Sequence, residues 1–141
     1  MNELDLPKTS EACIARLESV EAELLKLPQV SIPVEQKLYA GMYARTICVP
    51  KGVVAVGVTI EIPTILVLNG HCQFNSGDKV YEFKGHYVLE GQAHRKQICV
   101  ALEDTYMTMM FPTSAKTVEE AEEEFTYEAN KLQTRKQEVL R

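Results

Sequence analysis

The chain has no C-x-x-C pair, no apolar run as long as a membrane span and no surplus of basic residues, and each absence closes off a class of function. Its four cysteines, Cys13, Cys48, Cys72 and Cys99, lie far apart, so neither a zinc knuckle nor a thioredoxin-like redox pair is encoded. Cys48, Cys72 and Cys99 each sit in an apolar stretch, where a free thiol behaves as a small hydrophobe, and the cysteines are read as reduced. Glu61 and Pro63 interrupt the longest apolar candidate, which leaves nothing near the roughly 18 residues of a membrane helix. The opening residues MNELDLPKTSEAC lack the basic and apolar regions of a secretory signal. Lys and Arg number 15 against 20 Asp and Glu, a formal charge of -5, which makes nucleic-acid backbone a poor partner. The expectation is therefore a cytosolic protein, not secreted, with no membrane and no nucleic-acid partner. Nucleophile and phosphate motifs are missing too: there is no G-x-S-x-G elbow, no G-x-x-x-x-G-K-[ST] loop and no H-E-x-x-H pair.

What is there is a run of short β-type segments. A chain of 141 residues is one domain by the usual prior and buries roughly 68% of its unfolded surface, enough for a core without staples. From Tyr43 to Pro112, β-branched and aliphatic residues alternate with turn signals at intervals too short for helices. The spacing predicts strands near Ala44–Val49, Val53–Ile60, Thr64–Leu68, His71–Phe74, Lys79–Phe83, His86–Leu89, Lys96–Leu102 and Tyr106–Phe111. Asn69-Gly70, two residues tolerant of positive φ, is read as a hairpin turn. Eight such strands imply a small antiparallel barrel or jelly roll.

Helical signals flank this block. Ser10 is placed as an N-cap for a helix running to about Leu27, where Pro28 ends it. Cys13, Leu17, Val20, Leu24 and Leu27 form its apolar seam, which either packs on the chain's own barrel or meets a second subunit. Pro28 to Pro33 reads as an extended connector. Past Pro112, the T-x-x-E capping box of Thr117 and Glu120 opens a second helix. Its apolar side, with Ala121, Phe125, Leu132 and Val139, predicts a helix reaching as far as Leu140, about 35 Å long. A stripe of that length exceeds what a small barrel covers, so a neighbouring subunit is the expected place for it. The divisions are residues 1–33 for the first helix and connector, 34–113 for the barrel and 114–141 for the second helix.

Tyr43-Ala44-Arg45, Val49-Pro50-Lys51-Gly52, the strand into Asn69-Gly70, Ala101-Leu102-Glu103-Asp104-Thr105, Phe111-Pro112-Thr113 and the acidic helix start that follows carry a resemblance. From Pro28 to about Phe125 the chain resembles the cupins, and more closely the small cupin-like proteins encoded by tailed bacteriophages. The resemblance implies a mainly β fold, an antiparallel jelly-roll barrel carrying an N-terminal and a long C-terminal α-helix. It also implies that the metal motif is largely lost. The cupin pattern G-(x5)-H-x-H-(x3 or 4)-E-(x6)-G, started at Gly52, puts Val58 and Ile60 at the histidine positions and Thr64 or Ile65 at the glutamate. The second motif retains Gly91 and His94, and Phe111 stands where related sequences often carry a histidine. No metal or other cofactor is expected.

Three functions follow from this reading. The first is a non-enzymatic, phage-type module that forms a homo-oligomer and contacts a phage structural protein or a host protein, in the host cytoplasm or within the virion. Leu17, Val20, Leu24, Phe125, Leu132 and Val139 are its interface candidates. The second is a barrel that sequesters a small molecule or nucleotide-like signal, with Arg45, His94, Arg95 and Lys96 supplying positive charge. The third is a degenerate cupin enzyme using His94 with Glu61 or Glu90.

Overall fold

In the computed structural model, which describes residues 5–132 and 134–135, the chain folds as a mainly β, antiparallel curled sheet flanked by two helices. Helix α1 spans Glu11–Leu24. The strands are β1 Val34–Tyr39, β2 Met42–Val49, β3 Val54–Val56, β4 Thr64–Asn75, β5 Val80–Gly91, β6 Ile98–Ala101 and β7 Thr105–Pro112, followed by helix α2 at Val118–Phe125 and a 3-10 turn at Ala129–Lys131. Neighbours run β1-β2-β7-β4-β6-β3, with β5 paired to β4.

Most predicted strands are present, but their joints differ. Asn69-Gly70 does not turn a hairpin. It lies inside β4, which runs unbroken from Thr64 to Asn75. Before this point β4 pairs with β7, from Ile65↔Met110 to Asn69↔Tyr106. Beyond it β4 pairs with β6, from Cys72↔Ala101 to Asn75↔Ile98. Gly70 is the joint where the strand changes partners. A Cβ there would lie 2.6 Å from the Asp104 carbonyl oxygen, and its φ of 149° suits glycine, so the residue serves close backbone approach rather than reversal. Gly70 faces Gly85 across the ladder, and β5 passes through that glycine as β4 passes through its own. The predicted pairs of short strands at 64–74 and 79–89 are thus two long strands.

The hairpin turn lies instead at Ala40-Gly41, with φ of 53° and 73°, the backbone that a two-residue reversal between right-twisted strands demands. It joins β2 to β1, a strand absent from the sequence reading. The residues VEQKLY nevertheless alternate between half-buried and exposed, the period of a one-sided strand. The predicted strand Val53–Ile60 is short: after β3 the chain continues beside residues 95–97 through Gly57 N–H to Gln97 O (3.1 Å) and a reciprocal pair between Ile60 and Arg95.

Ser10 caps α1 as expected, its side chain accepting from Cys13 N–H at 3.2 Å. Cys13, Ile14 and Leu17 are buried, and a Cβ on Gly77 would meet the Cys13 Cβ at 2.8 Å. The first half of the helix seam therefore packs on the chain's own sheet. Thr117 likewise caps α2, accepting from Glu120 N–H at 3.2 Å.

The predicted long second helix is corrected. Helix α2 ends at Phe125, and Thr126 is extended at φ -149°, ψ 144°. The Phe125 carbonyl accepts from Glu61 N–H at 2.8 Å, and the Thr126 hydroxyl accepts from Glu128 N–H at 3.1 Å. Bonds from outside the helix replace its next turn, and the chain folds back so that Ala129 and Leu132 join the core. Val139 lies outside the described residues. Leu6, Ala121, Phe125, Ala129 and Leu132 share one buried cluster with the barrel residues, so both flanking segments help to build the core.

Candidate functional site

The curled sheet lines a half-open cavity of about 770 Å³. Its wall comes from alternate inward positions of the strands: Ile47 on β2, Leu66 and Phe74 on β4, Cys99 on β6, Met107 and Met109 on β7, with Val56, Val58 and Ile60 closing one side. Strand periodicity puts them there, since residues two apart share a face. Helix α1 and the connector form the roof through Glu21, Ala22, Leu24, Leu25, Leu27, Val30 and Ile32, while Phe125 and Leu132 close another side. Sequence reasoning did not identify this apolar lining as a site, although the alternation in β7, TYMTMMFP, already places Met107 and Met109 on one face.

The four predicted ligand residues do not form one cationic cluster. Arg45 reaches the cavity wall, but its Nη1 is paired with Glu122 Oε2 at 3.2 Å and also contacts Tyr43 Oη at 3.2 Å. Its guanidinium carbon stands 5.7 Å from the centre of the Phe125 ring. Glu122 is buried and also accepts from Arg135 Nε at 2.8 Å, so two cations share this carboxylate. Burial beside these groups raises the Tyr43 hydroxyl above its ordinary pKa.

His94, Arg95 and Lys96 point in different directions. His94, at a left-handed φ of 59°, bridges two carboxylates, with Nδ1 2.9 Å from Glu61 Oε1 and Nε2 2.6 Å from Glu11 Oε1. Glu61 first and Glu11 second raise its pKa. Of the two predicted acid partners the structure brings Glu61 to His94, and both ring nitrogens are taken by carboxylates. Lys96 is wholly enclosed, its Nζ bonded to Gly57 O at 2.9 Å and paired with Glu21 of α1 at 3.1 Å. Thr9 completes this fastening: its N–H donates to His94 O at 3.0 Å, and its hydroxyl accepts from Lys96 N–H at 2.9 Å. His94 and Lys96 therefore tie the N-terminal segment to the barrel.

Arg95 lies in the cavity wall and is only 3% exposed. Its Nη1 donates to Gln92 O at 2.7 Å and more weakly to Ile62 O at 3.5 Å, and its Nη2 donates to Thr64 Oγ1. A Cβ on Gly91 would fall 2.4 Å from the guanidinium carbon, so the space beside that glycine is occupied by this side chain. Burial lowers its pKa to about 10. Close by in the chain, Gln97 also borders the cavity, and its amide nitrogen is buried without a hydrogen-bond partner among the described residues.

Of the predicted interface residues, Leu17, Phe125 and Leu132 are buried within this chain, and Leu24 borders the cavity. Val20 is 44% exposed and stands near exposed Leu25, Leu27 and Val30 at the end of α1. The cysteines are all free thiols, buried except for the half-buried Cys48. Among the described residues, no helix is long and apolar enough to cross a membrane.

No family model matches the chain, and no curated protein matches it. Among solved structures it is similar to a cupin superfamily protein from Desulfitobacterium hafniense DCB-2, at a TM-score of 0.50 and 13% identity over 66% of this chain and 87% of that one. It is also similar to ectoine synthase from P. lautus, at a TM-score of 0.52 and 13% identity over 70% of this chain and 76% of that one. At such identities the likeness is one of fold: the sheet is of the cupin, jelly-roll type.

A cupin fold implies a metal held by inward imidazoles and a carboxylate, and the residues present do not fit one. Val58 and Ile60, which the sequence resemblance sets against the histidines of the first motif, line the cavity, and hydrocarbon side chains cannot bind a cation. Thr64 is committed to Arg95, Phe111 packs between Tyr43 and Phe125, and His94 is held by Glu61 and Glu11. Among the described residues no three His, Cys, Asp or Glu side chains gather in a metal-binding group.

Proposed function

We propose that this chain is a non-enzymatic binding barrel that takes a small, mostly apolar molecule into its interior. The observation that carries this reading is the cavity of about 770 Å³ walled by Val, Ile, Leu, Met and Phe side chains and roofed by the chain's own helix. Sites for small molecules are typically clefts of about 300–1,000 Å³ with apolar linings and a few placed polar groups. Hydrocarbon at the two histidine positions of the first cupin motif fits a binding role, as does an imidazole whose two ring nitrogens are both taken by carboxylates. The metal motif is on this reading replaced by packing surface. N-Phenyl-1-naphthylamine, a neutral apolar fluorophore, provides the test. The wild-type protein is expected to bind it saturably at one site per chain, and Val58→Phe, which fills part of the cavity, to weaken that binding at least about tenfold. Unsaturable binding, or equal binding by both proteins, would refute the reading.

A second reading is favoured by the exposed side chains of Val20, Leu25, Leu27 and Val30. Exposed apolar side chains close together in the chain offer a contact surface, and association with a second copy, or with a virion or host protein in a phage setting, would use it. Sedimentation of wild-type and Leu25→Glu protein tests self-association: a wild-type oligomer dissociated by the substitution supports it, and a monomer in both cases removes it.

A further inference from the structure

Of the buried cations around the cavity, one has no ion-pair partner among the described residues. Arg45 faces Glu122, Lys96 faces Glu21 and Lys131 faces Glu128. Glu61 is engaged with His94, and Glu18 stands exposed on α1 at the rim. Arg95 is different. Its hydrogen bonds end on two carbonyls and a hydroxyl, all neutral, and among the described residues no carboxylate comes within ion-pair distance of it. An enclosed cation without a counter-charge is costly, and neutral acceptors offset only part of that cost. Burial alone, with no nearby anion opposing it, depresses its affinity for a proton.

Building on the binding-barrel reading, we infer that the ligand is an amphipathic monoanion, an apolar body carrying one carboxylate or a comparably small anionic head, with that head on Arg95 and the body along Leu66, Met107 and Met109. A buried cation without a direct counter-charge calls for one negative charge beside it. A guanidinium is a fork of donors that matches a carboxylate in two-point contact. Enclosure of Arg95 against the Gly91 backbone leaves a small approach, which favours a compact head over a polyphosphate. Gln97, whose amide nitrogen lacks a partner among the described residues, adds a second polar group on the same cavity. The remaining wall is hydrocarbon and sulfur, which rewards an aliphatic or aromatic body through apolar burial.

Octanoate, octan-1-ol and octylamine share one chain and differ in the charge of the head. Calorimetric titration of the full chain with each is expected to rank them in that order, octanoate binding about 10- to 100-fold more tightly than the alcohol, the range of one charge-assisted contact in an enclosed site. Arg95→Gln should remove this preference, octanoate then binding no more than about threefold more tightly than octan-1-ol to the same variant. Should that variant fail to fold, Arg95→Lys keeps the charge without the fork and is expected to retain part of the preference, and the ranking on wild-type protein stands by itself. Equal binding of octanoate and octan-1-ol overturns the inference while leaving the binding barrel intact. Failure of all three to bind, together with failure of the neutral fluorophore, overturns the barrel reading and the inference with it.

Discussion

The barrel wall and the N-terminal strap that closes it are held by different physics. The wall is a ladder system: β4 pairs with β5 over its whole length and with β7 and β6 in turn, and its inner face is apolar. Its stability comes from area removed from water and from many backbone bonds. The strap, residues 5–24, buries only Leu6, Cys13, Ile14 and Leu17 among its larger apolar side chains and adds a set of polar fastenings: Thr9 to residues 94 and 96, Glu11 to His94, Arg16 to Gly77 O, and Glu21 to Lys96. Polar contacts of this kind are directional, and several respond to pH or to loss of one partner. The wall should therefore set global stability, and the strap should set how the cavity is closed.

Phe125→Ala should have the largest effect. The ring is 1% exposed and packs on Tyr43 and Phe111. Its loss should cost about 3–5 kcal/mol, read from the midpoint of urea unfolding. Gly70→Ala comes next, because the new Cβ would meet the Asp104 carbonyl at 2.6 Å; about 2–3 kcal/mol is expected in the same assay, and a near-neutral result would show that the strand joint can relax. Glu21→Gln leaves the Lys96 ammonium enclosed with Gly57 O as its remaining acceptor. About 2 kcal/mol is expected, with faster amide exchange across α1 than across β4. Equal acceleration in both elements would erase the distinction between strap and wall.

The smallest effect is the pH response of His94. Two carboxylates raise its pKa in the folded protein above 6.5, so the folded state holds the proton more tightly than the unfolded chain does. The resulting stabilisation is complete below pH 6.5, is lost as pH rises through the raised folded value, and is absent above it. His94→Gln should flatten this part of the stability profile. An unchanged slope would assign it to other groups.

Several features of the two regions were legible in the residues. Ser10 and Thr117 cap where their hydroxyls predict, because a cap is a local bond between a side chain and a backbone N–H two or three residues on. Val58 and Ile60 do border the interior, as the resemblance implied. Other features depend on what lies opposite in space. Whether Asn69-Gly70 reverses the chain or bends a continuous strand is decided by the Asp104–Thr105 backbone pressing on it. The second helix stops at Phe125 because Glu61 N–H takes its carbonyl, a partner 64 positions away that no helical period announces. The basic run His94-Arg95-Lys96 gave no sign that consecutive cations would be separated, one bridging Glu61 and Glu11, one in the cavity wall and one buried under α1. β1 carries an alternation in VEQKLY, but its inward positions set the polar Gln36 between Val34 and Leu38, which weakens the apolar period.

Methyl-labelled NMR with N-phenyl-1-naphthylamine tests the central claim most directly, since an aromatic ligand displaces the resonances of the methyl groups it touches. The account predicts saturable shifts at Met107, Met109, Leu66 and Ile60 within the cavity, with Val80 and Val88 on the outer face of β5 unmoved. Shifts confined to methyl groups outside the cavity, such as Val20, Val80 and Val88, with Met107, Met109, Leu66 and Ile60 unchanged, would contradict it and move the working surface to the exterior.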